Sequence, residues 1–502
     1  MVTIKGINIR TWVYTLAILI AGGQIHAQGI ADALRFSTFQ PGGTARTMGA
    51  GSAFGSLGGD FGAISINPAS LGTYRASEIV FTPSLHNNNV SSSLFGTTGE
   101  SEFSKSRLGI ENIGVVFSYQ PTSNWQTSNL AIGLNKVANF NSTFSYGGQT
   151  IGSITERWTE LADGFDPQLL EEFEAFPAFV SGAIFDFQGD NIYETDFSDN
   201  PDQSVTKQQL VEQSGSINEL VVAWGGNLSN KFNIGLSLGL PFVSFNEIAT
   251  YEELDPNDEI DFFNSLEYTE FLSTSGTGFN LSAGFIYLPT PQVRMGLSIK
   301  SPTWFFLTDD FDTNIAYSFT ENGTAQTLSE ASPPGSFRYR FNAPWIVTGS
   351  LGSVYRIGGL QGFISGDVEY KDYTSNSFNL GAYSANPDDR VFGNELNRLI
   401  AQELQSTVSF RVGTELAYQK FRFRVGGQLA QSPFRASGSD TDNSFSGGFG
   451  FREDKFFLDF AYVSRSASTG YIPYDISDDS REQFVNNDSR IGQMVATVGF
   501  KF

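Results

Sequence analysis

RIGQMVATVGFKF, Arg490–Phe502, closes the chain with a strict two-residue alternation. Met494, Ala496, Val498, Phe500 and Phe502 fall on one face, and Gln493, Thr497 and Lys501 on the other. A helix would scatter these apolar residues around its axis, whereas the pleat of a strand sets i, i+2 and i+4 on one side. FRFRVGGQL repeats the pattern, with Phe421, Phe423, Val425 and Leu429 opposite Arg422, Arg424 and Gln428. KFNIGLSLGLPF sets Phe232, Ile234, Leu236, Leu238 and Leu240 against Asn233, Ser237 and two glycines, and KFFLDFAYV sets Phe456, Leu458, Phe460 and Tyr462 against Asp459.

Segments of this kind number about fourteen, near 77–89, 110–120, 128–140, 217–227, 231–244, 276–288, 292–303, 338–354, 361–371, 406–417, 420–431, 442–451, 455–465 and 491–502. Their connections alternate in length. Short ones such as LSN, TPQ, RIGGLQ and RED alternate with long ones at 141–216, 245–275, 304–337, 372–405 and 466–490. Short turns on one side and long loops on the other, on an even number of strands, are the rhythm of a closed antiparallel transmembrane β-barrel. The terminal Phe502 suits an interfacial aromatic girdle, and an even count brings the last strand antiparallel to the first, leaving no edge. The chain before residue 77 then starts on the inner, periplasmic side.

Composition agrees. Aromatic residues make up 14% of the chain, with 47 Phe and 53 Gly, yet the mean hydropathy is only −0.16. Alternation along many strands produces that combination. Residues 1–27 read as a secretory signal peptide: Lys5 and Arg10 precede the apolar run TWVYTLAILIAGG, which is too short to span a bilayer, and a small residue, Ala27, follows. With no Cys, an exported chain must be stabilised by hydrogen bonding and burial over a large fold. A net charge of −23 excludes a phosphate-tracking surface, so nucleic acid is not a partner. No acidic run has EF-hand spacing, and no metal or other cofactor is expected.

Four stretches resemble the FadL-type outer-membrane transporters of long-chain fatty acids and other hydrophobic compounds. They are ALRFSTFQPGGTARTMGAGSAFGSLGGDFGAISINPASLGTYRASEIVFTPSL, AIGLNKVANFNSTFSYGG, GFNLSAGFIYLPTPQVRMGLSIKSPTW and FRYRFNAPWIVTGSLGSVY. The resemblance implies a fourteen-stranded barrel, residues 77–502, whose N-terminal segment, residues 28–76, folds back into the lumen as a hatch. It implies a hydrophobic small molecule as ligand, caught among outer loops and released when the hatch shifts, in some members through a lateral opening at the third strand. It also implies a Gram-negative outer membrane, with lipid and lipopolysaccharide around the wall and the barrel-assembly machinery for insertion. The second outer loop, 141–216, is longer and more acidic than the family's pattern, and ligand contacts there are not matched one by one.

Within the hatch, the family's Asn-Pro-Ala element falls on Asn67, Pro68 and Ala69. Pro68 fixes its own φ and keeps Asn67 out of the helical region, making a rigid corner, while Gly59, Gly62 and the neighbouring glycines permit close packing against a wall. Phe54, Phe61, Ile64 and Ile66 are candidates for a greasy path, with simple plug packing as the alternative. In the second loop DPQLLEEFEAFPAFV, Asp166–Val180, reads as one amphipathic helix, capped by Asp166, with Leu169, Leu170, Phe173 and Phe176 on one side. Arg422 and Arg424 are candidates for contact with a carboxylate head group, or else pair with lumen acids such as Asp367, Glu369, Glu415 or Asp459. Pro83 and Pro344, inside strands, each mark a bulge or kink.

Catalysis finds no support: His26 lies in the leader, leaving His86 as the single histidine beyond it, and there is no Cys, so the usual nucleophile–base pairs are missing. The chain reads as a non-enzyme. Passive transport of hydrophobic compounds is the leading reading. Two others stay open: a FadL-like barrel acting as scaffold or shuttle in secretion or surface display, with a secretion-system or surface protein as partner, and a nonspecific porin.

Overall fold

The computed structural model describes residues 29–502 except 96, 98, 99, 122, 438–440, 479, 480 and 482, so the expected signal peptide lies outside the described residues. Fourteen antiparallel strands form one closed barrel. They are β1 Glu78–Leu94, β2 Glu100–Tyr119, β3 Trp125–Asn139 continued by Ser142–Ile151, β4 Ser204–Leu228, β5 Phe232–Leu254, β6 Phe263–Tyr287 and β7 Val293–Lys300 continued by Trp304–Glu321. β8 runs in three pieces, Thr324–Ala331, Gly335–Asn342 and Ile346–Ile357. There follow β9 Leu360–Asp372, β10 Ser406–Tyr418, β11 Phe421–Gln431, β12 Thr441–Arg452, β13 Phe456–Tyr471 and β14 Val485–Lys501. The ring closes where β1 pairs with β14, from Glu78 opposite Lys501 to Leu94 opposite Val485.

Alternation places the side chains as the sequence requires. On β14 Met494 and Phe500 are more than half exposed, whereas Val495 and Thr497 are buried in the lumen. An apolar outer face suits lipid, and closing the ring pairs β1 with β14 so that neither end strand is left as an edge. Among the described residues no helix is long and apolar enough to cross a membrane.

The strands run further outward than the apolar alternation does. Residues 245–275, expected as a loop, are largely the ends of β5 and β6, and 304–337 is largely a hairpin between β7 and β8. Cross-strand hydrogen bonds do not need apolar side chains, so the ladder continues past the point where the hydrophobic signal stops. The β7–β8 hairpin turns at Asn322 and Gly323, with φ of 50° and 75°, the pair of positive φ values that a type I′ turn demands.

Both strand prolines interrupt their ladders. The β1–β2 register shifts between Thr82 and Pro83, and Pro344 lies in the break between Asn342 and Ile346. In the second outer loop the expected single helix is two pieces, a short 3-10 turn Pro167–Leu169 and a helix Ala175–Ser181, separated by extended backbone at Leu170. Asp166 caps the first piece as expected, but Glu171 accepts the amide protons of Phe173 and Glu174, both at 2.7 Å, and so restarts the chain in a new direction. Together with Thr155–Ala162, these pieces cover an aromatic core at the outer mouth that includes Trp158, Phe197, Tyr251, Phe263, Tyr268 and Tyr317.

Candidate functional site

Residues 29–76 touch the inner faces of strands all round the ring, which puts them inside it. Two short helices, α1 Ile30–Arg35 and α2 Ala45–Gly49, are followed by 3-10 turns Phe61–Ser65 and Pro68–Thr73. Each later element has a side-chain cap: Thr44 accepts from Thr47, Asp60 from Gly62 and Asn67 from Ala69. The segment does not stay on the periplasmic side. α1 packs high in the lumen, where Ala33, Phe36 and Phe39 join Val137, Ile217, Phe341 and, from the outer helix Pro387–Glu403, Leu396 and Ile400; from there the chain descends to β1.

The wall meets this segment with glycines. Gly114 and Gly133 face Phe61; Gly225 faces Leu71, Gly235 Pro68, Gly284 Asn67 and Gly296 Gly55. Gly413 and Gly426 face Ala50 and Gly51, and Gly448 faces Gly49. A Cβ at Gly235 would sit 2.3 Å from the Pro68 carbonyl carbon, and one at Gly413 2.0 Å from the Ala50 carbonyl oxygen. This belt on the strands is what lets plug backbone lie directly on wall backbone. The sequence shows glycines in the plug directly; their partners are signalled by a glycine at a lumen-facing position in strand after strand.

Polar bonds then fix the plug. The Asn67 amide donates to the Gly55 carbonyl at 2.6 Å and reaches the Phe285 and Leu297 carbonyls on β6 and β7 at 3.4 and 3.5 Å. Arg46 bridges the Gly59 carbonyl, 3.0 Å, and Glu415 on β10, 3.0 Å. Glu415 also binds Arg424 at 2.6 Å, and Arg424 binds Asp459 at 2.7 Å. Arg424 is thereby held in ion pairs beneath the plug, while Arg422 turns back onto the carbonyls of Gln419 and Phe421 in its own hairpin. The two arginines are not brought together around one position.

Phe54 packs edge-on against Phe363 with centroids 5.3 Å apart, and Phe61 and Ile64 share a cluster with Val116, Ala131 and Val221. Ile66 lies in the Phe54 cluster. All four are buried between plug and wall. Of the loop candidates, Leu170 is buried in the outer cap and Phe173 packs on Phe311 at 4.8 Å, whereas Leu169 and Phe176 are exposed.

One stretch of wall is not laddered. β2 pairs with β3 only from Asn112 opposite Asn135 to Tyr119 opposite Ser128. Outward of that, β2 remains paired with β1, and the Ser142–Ile151 part of β3 pairs only with β4. The seam coincides with a register shift between Lys136 and Ala138 and with the gap between Asn139 and Ser142. Side chains bridge its outer part: Lys105 donates to Thr143 at 3.0 Å and Arg107 to the Asn141 amide oxygen. On the lumen side the plug lines it, with the Gln40 amide donating to the Val137 carbonyl at 2.9 Å. A cavity of about 580 Å³ lies at the seam, lined by the exposed Leu108, Ile110, Ile113 and Leu134 together with Gly109, Lys136, Ser216 and Asn218. Beside it the Glu111 carboxylate gathers His86 at 2.7 Å, Ser84 at 2.8 Å and Lys136 at 3.6 Å. In the sequence His86 is only the single histidine beyond the leader, because nothing in its own strand shows what faces it.

No protein-family model and no curated protein sequence matches the chain. Solved structures do. A Pseudomonas aeruginosa FadL homologue superposes with a TM-score of 0.55 at 12% identity, covering 93% of this chain and 100% of that one. The Pseudomonas putida toluene transporter TodX superposes with a TM-score of 0.53 at 12% identity, covering 92% and 99%. The fold is that of a FadL-type barrel. At this identity the likeness is one of architecture, so the plug contacts and the seam of this FadL-type barrel stand on its own residues.

Proposed function

We propose that the protein carries hydrophobic small molecules across the outer membrane by passive diffusion. A ligand is caught at apolar side chains of the outer cap such as Leu169 and Phe176, enters the lumen, and leaves through the seam between β2 and β3 when the plug shifts at its Asn67-Pro68-Ala69 corner. The observation that carries this reading is the pairing of a lumen occupied by residues 29–76 with an unladdered stretch of wall whose cavity sets Leu108, Ile110, Ile113 and Leu134 beside Lys136, Ser216 and Asn218. An occupied lumen opposes straight aqueous flow, and Leu108, Ile110, Ile113 and Leu134 give the opening an apolar side along which an apolar solute can pass, with Lys136, Ser216 and Asn218 as its polar side. Gly59 and Gly62 sit where the plug would flex, and Phe54, Phe61, Ile64 and Ile66 would meet ligand only after it moves. The reading makes the protein a transporter and not an enzyme.

The candidate substrates are long-chain fatty acids, from the resemblance, and small aromatic hydrocarbons of the kind named for the toluene transporter. The test is uptake of labelled oleate and labelled toluene into proteoliposomes. Uptake of at least one above protein-free vesicles, with no matching uptake of a polar sugar of similar size, supports the proposal. Equal uptake of the sugar would make the protein a porin, and no uptake of either hydrophobic probe would remove the proposal.

A further inference from the structure

On the outer face of β7 the lipid-facing side chains run Met295, Leu297 and Ile299 and end in Trp304 and Phe306; on β8 they run from Leu351 to Trp345. Aromatic residues at the end of an apolar band mark the height of the lipid headgroups. The next outward-facing charges on β8 are Arg340 and Arg338, both exposed. Their guanidinium groups lie over the same ring, 5.2 and 5.0 Å from the centroid of Tyr383. Arg340 also lies 5.6 Å over Phe306 and donates to the Tyr383 hydroxyl at 3.4 Å. Among the described residues neither arginine forms an ion pair with a carboxylate. Asp310, on the same face of β7, stands further out, opposite Ser336. Below Arg340 the wall is dented where β7 and β8 break, a cavity of about 300 Å³ lined by Phe279, Trp304, Phe305, Phe306, Asn342 and Asn379.

We propose that this patch docks a phosphorylated glycolipid of the outer leaflet, its phosphate between Arg338 and Arg340 and one acyl chain in the aromatic dent. Two like charges held side by side repel unless an anion joins them. The Nε–H of Arg340 is used on the Tyr383 hydroxyl, which leaves the terminal N–H groups of both guanidiniums to face a phosphate. A chain of net charge −23 has no general attraction for anions, so the patch acts locally. The dent argues for a lipid over free phosphate, because next to Arg340 its lining is mostly aromatic, with Phe279, Trp304, Phe305 and Phe306 placed to cover an acyl chain that free phosphate lacks. The site lies on the outside of the wall and does not depend on the transport reading.

The test is native mass spectrometry of the folded protein in detergent with EDTA, titrated with purified bis-phosphorylated lipid A, with the same lipid after phosphatase treatment, and with inorganic phosphate. The wild-type chain is expected to bind the phosphorylated lipid about tenfold or more tighter than the dephosphorylated one, the order expected for charge-assisted contacts. Arg338→Ala with Arg340→Ala should abolish that preference, while Arg356→Ala, an exposed arginine at the other end of β8, should keep it; heat-modifiable electrophoretic mobility reports that each barrel is folded. Equal binding of the two lipids by the wild-type chain would overturn the proposal without recourse to any variant. So would an undiminished preference in the folded double variant, or inorganic phosphate binding as tightly as the lipid.

Discussion

Asn67 holds the plug through one amide: its oxygen caps the turn at Ala69, and its nitrogen serves carbonyls on the plug and on two wall strands. Asn67→Ala strands buried carbonyls, a cost of about 1–3 kcal/mol, and is expected to lower the temperature at which the folded barrel loses its heat-modifiable mobility. Gly235→Val is the complementary change on the wall. No side-chain rearrangement makes room for a Cβ 2.3 Å from plug backbone, so the plug must shift, and single-channel conductance in planar bilayers is expected to rise from near zero to discrete openings. A sealed bilayer current with Gly235→Val would show that the plug tolerates displacement without opening. The Asn67-Pro68 corner was legible because a proline and a capping side chain act locally. The wall glycines were not, because each alone is an ordinary strand glycine; only the ring, assembled, gives them a common neighbour.

Elements were legible to the extent that their signal is local. Pro83 and Pro344 mark ladder irregularities because proline lacks the N–H that a ladder uses. The Asn322-Gly323 turn carries a hairpin signature in its two residues, yet the polar strands beside it hide the hairpin from an apolar count. The split of 166–180 into two pieces depends on Glu171, whose role is set by what buries it. Burial, with the Glu174 carboxylate alongside, pushes Glu171 up to about 7 from 4.5. Between those values the folded cap keeps a proton that the unfolded segment has released, so the cap is favoured at lower pH and weakens as pH rises through about 7. Limited proteolysis within 166–181 is expected to speed up between about pH 5.5 and pH 8.5, after correction for the protease's own profile. Glu171→Gln should flatten that dependence, and an unchanged slope would assign it to another group.

At the scale of the molecule, alternation and loop rhythm made the closed barrel readable from sequence, since both follow from lipid on one side and lumen on the other. The seam was not readable. LNKVANFN holds no proline or glycine to mark a break, and the missing ladder above Asn135 comes from the way β3 departs from β2, a relation between strands. The most informative measurement is transport through a barrel whose seam is locked. The chain has no cysteine of its own, so Arg107→Cys with Asn141→Cys, at two side chains that already bond across the seam, gives a single target for a short bis-maleimide. Uptake of the hydrophobic probe into proteoliposomes is expected to fall to the protein-free level on cross-linking, while each single-cysteine variant treated alike keeps its uptake. Undiminished uptake by the fully cross-linked barrel would contradict lateral release and place the route through the plugged lumen.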